Sequence, residues 1–214
     1  MSNLPKPSIF VFLLLPLISA LISLGIPFYK SEYMILTVII YLAYVLLLFI
    51  VKGISSSKGK MNWFPKFAGY ATFTAFAFFF IMPLIKIFDG KIGIQLLLIV
   101  IWLVLHIIFF VKVETLYKIV IPSASESKSK WTIVYYLTFI VLFVMSGGGN
   151  FRVTRIMTET YGQDPTMNYF SFVLYVVGIW FGTLAAVMSI GMQGKLPKGR
   201  IERIVQKGKL VRNR

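Results

Sequence analysis

The sequence predicts an all-α polytopic membrane helix bundle of about six transmembrane helices, with both termini cytoplasmic. Three observations predict it. Of the 214 residues, 58% are hydrophobic and only 14% charged, where a soluble domain carries about 25% charged residues. The charges are confined to short stretches between long uncharged runs, as in a chain whose solvent is lipid. Seventeen of the 22 Lys and Arg residues fall in alternate connecting segments, the asymmetry that orients a chain in a membrane.

The apolar segments are 8–28, 33–51, 67–85, 92–111, 131–146 and 169–192. A spanning helix needs about 20 mostly apolar residues at a rise of about 1.5 Å each. The runs are continuous rather than alternating, so they read as helices and not barrel strands. In hydrocarbon a helix satisfies its own backbone hydrogen bonds. The first segment exceeds the 7–15 residue core of a signal peptide and lacks an A-x-A site, although Ser19 and Ala20 are small. It is expected to be retained. Pro16 and Pro83 are expected to kink the first and third helices. The fifth segment is short and extends through Ser146 into the glycines at 147–149. Residues 1–192 thus form the transmembrane domain, 193–214 a basic cytoplasmic tail, and no internal repeat is evident.

With the N-terminus inside, the inner segments hold Lys6, then Lys52, Lys58, Lys60 and Lys66, then Lys112, Lys118, Lys128 and Lys130, then eight basic residues from Lys195 onward. The outer segments hold only Lys30, Lys86, Lys91, Arg152 and Arg155. Tyr29, Tyr33, Trp63, Tyr70, Tyr117, Trp131, Tyr135 and Tyr169 fall near segment ends, where amphipathic rings suit the headgroup level. The inner stretch 112–130, containing Pro122-Ser-Ala-Ser-Glu-Ser, reads as a flexible linker. The tail 197–214 is basic and faintly amphipathic, suited to anionic headgroups or to a disordered role in setting topology.

Three groups of residues stand out. Gln95, Trp102 and His106 lie on one face of the fourth segment, since eleven residues is close to three helical turns. A polar stripe at membrane depth faces the bundle or a cavity. His106, the only histidine, reads first as an interhelical hydrogen-bonding group and second as a proton-responsive one. Gly178, Gly182 and Ala186 are spaced four apart and allow a neighbouring helix to approach closely. The small residues Ala68, Ala71, Thr72 and Ala75 of the third helix are the expected partner face, with docking of a second protein the alternative. In the outer stretch 147–168, Asn150 is placed to cap a short helix that ends near Gly162 and Pro165. Val153, Ile156, Met157 and Thr160 would form its apolar side, and Arg152, Arg155 and Glu159 its charged surface.

The chain has no cysteine, which excludes disulfides, thiolate metal sites and a Cys nucleophile. The predicted spans carry no Asp or Glu, and no spacing motif provides a catalytic constellation, so an enzyme is not expected. No cofactor and no metal site are expected. The formal charge of +15 lies beside apolar spans without a binding motif, so nucleic acid is not an expected partner. The expected partners are a bilayer with anionic cytoplasmic headgroups and a membrane protein or second copy. The function expected is that of a non-enzymatic binding or accessory protein (partner stabilisation, immunity or assembly). The alternative is a small-solute transporter or its substrate-binding membrane subunit. The Lys-, Ile- and Phe-rich composition fits a bacterial plasma membrane.

Overall fold

The computed structural model describes residues 9–27, 30–57, 63–121, 130–145, 151–190 and 192–193. The expectations for Tyr29, for the glycines at 147–149, for Asn150 and for the tail beyond Gln193 lie outside these residues. Within them the chain forms eight helices and no strand: α1 (Ile9–Gly25), α2 (Ser31–Ser57), α3 (Phe64–Ile87), α4 (Ile92–Val111), α5 (Val113–Val120), α6 (Lys130–Met145), α7 (Phe151–Tyr161) and α8 (Gln163–Ser189). Among the described residues four helices, α2, α3, α4 and α8, are long and apolar enough to cross a membrane, and α1 and α6 are shorter apolar helices. At 17 and 16 residues, these two extend about 25 Å, a little under the hydrocarbon thickness of about 30 Å.

The helix limits depart from the apolar runs where helix and lipid have different ends. α2 continues past residue 51 through Lys52 and Gly53 to Ser57, because a formed helix propagates into residues that lipid would reject. α8 begins at Gln163, directly after Gly162, whose φ of +88° suits glycine. Gly162 is therefore the break, whereas Pro165 sits in the first turn of α8, where its missing N–H costs no hydrogen bond. The linker expected at 112–130 is corrected in its first half. Val113, Tyr117 and Val120, at i, i+4 and i+7, are buried against Val187 and Ile190 of α8. That apolar stripe makes residues 113–120 the helix α5, and Tyr136 of α6 donates to its last carbonyl, Val120 O, at 2.7 Å.

α3 and α8 form the centre and make the most extensive helix contact. In their most apolar stretches 67% of α3 and 56% of α8 are buried, against 17% of α2 and 6% of α4. α1 lies along α3 and buries Pro16, Ser19, Ala20 and Ser23. The Ser19 and Ser23 hydroxyls donate to Pro16 O and Ala20 O of their own helix at 3.0 and 2.8 Å, so the stripe packs as if it were apolar. α2 joins through Tyr44 and Leu48, clustered with Ala68 and Ala71. The Tyr44 hydroxyl donates to Phe12 O at 2.7 Å and lies 2.9 Å from Thr72 Oγ1, tying three helices at one point. The small-residue face of α3 therefore receives α1 and α2. α8 packs on a different face of α3, with Gly178 against Ala77, Phe80 and Ile81 and Met188 beside Gly69, which corrects the partner face expected from sequence.

Candidate functional site

The predicted stripe on α4 divides into two groups. Trp102 and His106 are its buried residues and stack with ring centroids 5.2 Å apart. Phe78 of α3 meets the Trp102 ring edge-on at 5.5 Å. His106 Nε2 lies 3.4 Å from both Tyr70 Oη and Thr74 Oγ1 of α3. Thr74 spends its proton on Tyr70 O at 2.9 Å, so toward the imidazole it is an acceptor. His106 is thus an interhelical hydrogen-bonding group. Its Nδ1 and the Trp102 Nε1 are buried with no hydrogen-bond partner among the described residues. They border a gap closed by Phe109, Ile179 and Gly182 that has no room for a water molecule.

Gln95, about 16 Å along the helix from His106, belongs to a polar cluster at the other end of the bundle. Its amide donates to Tyr33 Oη at 2.9 Å and to Ile85 O at 3.2 Å. Tyr33 donates to Asp89 Oδ1 at 2.9 Å. Lys30 bonds the second Asp89 oxygen and lies 3.1 Å from Glu32. The hydrogen bonds from Lys30 and Tyr33 hold the Asp89 carboxyl below its ordinary range, and those to Asp89 and Glu32 raise the Lys30 ammonium above its own.

Lys86 completes this end. It is 1% exposed, and its ammonium donates to Ser23 O and Leu24 O at 2.5 and 3.1 Å. These are carbonyls of the last turn of α1, which have no partner within the helix, and a cation there also opposes the helix dipole. Read from sequence, Lys86 was an outer-segment topology charge. Its signal was position: one residue past an uninterrupted apolar run, on the helix that carries most of the core.

The small-residue motif of α8 also divides. A Cβ on Gly178 would lie 2.8 Å from Ala77 O and 2.9 Å from Ile81 Cγ2, so here the backbones of α3 and α8 touch. A Cβ on Gly182 would meet His106 Nδ1 at 3.3 Å, so this glycine makes room for α4. Ala186 is buried, 1% exposed. On α7, Arg155 pairs with Glu159 at 2.7 Å, with side chains 80% and 59% exposed, and Arg152 is exposed beside them. The opposite side differs from the expected one. Thr154, Met157 and Thr158 are half-buried, while Ile156 is 60% exposed and Thr160 is exposed.

Two grooves open on the bundle side. One, of about 300 Å³, lies between the end of α1, Thr154 of α7, and Met167 and Phe170 of α8. The other, of about 330 Å³, lies between α5, α6 and α8, with Leu116, Trp131, Leu142 and Trp180 in its walls. Among the described residues no group of three or more His, Asp or Glu is placed to share a metal ion. No protein-family model matches the chain, and neither the curated proteins nor the solved structures include a detectable match.

Proposed function

We propose that this chain is a non-enzymatic accessory protein of a bacterial plasma membrane, which holds or stabilises a membrane-protein partner. In this reading α1 and α6 also span, both termini are cytoplasmic, and α7 lies on the outer face. The 17-to-5 distribution of basic residues supports that orientation. The observation that carries the functional reading is where the packing is spent. A carrier needs a path between its helices, but here the backbones of α3 and α8 touch at Gly178 and fill the centre. α4 buries only Trp102 and His106, and α6 only Leu142, so wide apolar faces remain on the outside, where helices associate in a membrane.

The test is affinity capture from native membranes in mild detergent with mass spectrometry. A stoichiometric membrane-protein partner is expected. Its capture should fail for Leu103→Trp, on the outward face of α4 and 48% exposed, with no change in melting temperature. A retained small solute without a protein partner would replace this reading with the second one, a transport subunit. That alternative is favoured by the unpartnered Trp102 Nε1 and His106 Nδ1 deep in the bundle. His106→Gln separates the two, because an amide preserves an interhelical hydrogen bond but does not titrate.

A further inference from the structure

We propose that the seam between α8 and the part of α4 beyond Leu98 is a proton-operated latch, shut while His106 is neutral and opened to water when His106 takes a proton at Nδ1. This goes beyond the accessory role and does not rest on it.

The groups around the ring set the neutral state. Thr74 has spent its own proton on Tyr70 O, so toward Nε2, 3.4 Å away, it only accepts. The neutral imidazole therefore carries its hydrogen on Nε2 and holds a bare lone pair at Nδ1. That nitrogen faces α8 at Gly182, where a Cβ would stand 3.3 Å away. From α3 the titratable group facing His106 is Tyr70. α8 presents Gly182 and Ile179, and α4 itself presents Trp102, Leu105 and Phe109, none of them charged.

A second proton does not fit this arrangement. It would set an N–H at Nδ1 against a glycine, with no acceptor among the described residues. It would also put a charge beside a gap that has no room for water. Both are costly when buried. The contacts to α3 survive, because Nε2 still donates. The stack with Trp102 survives too, because a ring face attracts a cation, and that ring moves with α4. The misfit is thus confined to the side toward α8. Water entering there would accept from Nδ1 and from Trp102 Nε1, which is also unpartnered. The open state therefore holds the proton more tightly, and protonation shifts the helix toward it.

α4 is free to move at this point. Trp102 and His106 are its buried residues. Tyr175 of α8 donates to Leu98 O at 2.8 Å and pins α4 about two turns before His106. Past His106, Gln193 reaches Phe110 O only at 3.5 Å, a long hydrogen bond. α5, separated from α4 at Lys112, has its own packing on Val187 and Ile190 of α8.

The chain has no cysteine, so spin labels on introduced cysteines report distances in the full chain, reconstituted in vesicles. One pair is Ile108→Cys with Met188→Cys, beyond the pin. The other is Leu97→Cys with Phe172→Cys, before it. All four positions are exposed. Between about pH 8 and pH 5, where an ordinary imidazole titrates, the first distance should lengthen by about 3 Å, the diameter of a water molecule. The second should hold. His106→Gln should abolish the lengthening, since an amide does not titrate. Gly182→Ser should abolish it as well, because a hydroxyl so near Nδ1 supplies the missing acceptor. No lengthening in the wild type overturns the proposal. So does lengthening that persists in either variant that folds, or equal lengthening of both pairs, which is a general loosening in acid. Partner capture at neutral pH is a separate measurement, and neither result decides it.

Discussion

Replacing Gly178 with alanine adds a single methyl group where α8 meets α3. That carbon would stand 2.8 Å from Ala77 O. A backbone carbonyl in a central helix cannot swing aside, so the two helices must move apart by roughly half an ångström to restore ordinary contact. A gap of that size forfeits about a quarter of each contact of 0.1–0.2 kcal/mol. Summed over the longest interface in the bundle, the cost is about 1–3 kcal/mol, the usual range for overpacking. Alanine returns up to about 1 kcal/mol of helix propensity, leaving a net loss of up to about 2 kcal/mol. For a chain of this length that lowers the melting temperature by up to about 8 °C. Thermal unfolding in detergent measures it, and Gly53→Ala is the control, because a Cβ on that α2 glycine meets nothing within 4 Å and should stabilise. Gly182→Ala should be close to neutral, since the His106 ring can yield. Gly182→Leu should strike His106 and Phe109 of α4 rather than part α8 from α3. If Gly178→Ala melts at or above the wild type while Gly53→Ala behaves as expected, the backbone contact is not there and the argument fails.

Three further predictions follow from the other end of the molecule and from its orientation. Lys86→Met removes two charge-assisted hydrogen bonds at nearly constant volume and should cost about 2–3 kcal/mol, read as a lower melting temperature; no change would refute the role of Lys86 at the α1 terminus. The Lys30–Asp89 pair should give stability that falls off at both extremes of pH. The lowered Asp89 carboxyl contributes above its ordinary range and is lost as pH falls through its folded value, while the raised Lys30 ammonium contributes below its ordinary range and is lost as pH rises through its own. Asp89→Asn should flatten the acid side of a plot of melting temperature against pH. Single cysteines test topology: one at Thr160 should react with an impermeant reagent on intact cells and one at Lys118 only after lysis. Thr160 is preferred over Thr158, which is half-buried and bonded to Thr154 O.

Uninterrupted hydrophobicity is a property of single residues in order, so the runs at 33–51, 67–85, 92–111 and 169–192 located the four long helices directly. Helix ends were less legible, because the edge of an apolar run marks where lipid would stop and α2 continues beyond it. α5 was obscured by the serines and proline that follow it, although its i, i+4, i+7 stripe was present. Pairing was the least legible level. Gly178 and Gly182 announce close approach but carry no label for the partner, and they turned out to face different helices. Aromatic rings near segment ends are equally ambiguous: Trp131 remains exposed, whereas Tyr70 and Tyr117 contact His106 and α8 from within. The polar cluster of Lys30, Tyr33, Asp89 and Gln95 draws on two stretches of chain more than 50 residues apart, and nothing local marks the two as neighbours.

The position of Lys86 also bears on how the molecule is made. The ammonium that closes the last turn of α1 belongs to a residue 63 positions after Ser23. During synthesis α1 is therefore complete as a sequence long before its terminal carbonyls have their cation. Until α3 arrives, those carbonyls must take their hydrogen bonds from other donors. The end of α1 is thus completed by the third helix and not by the second.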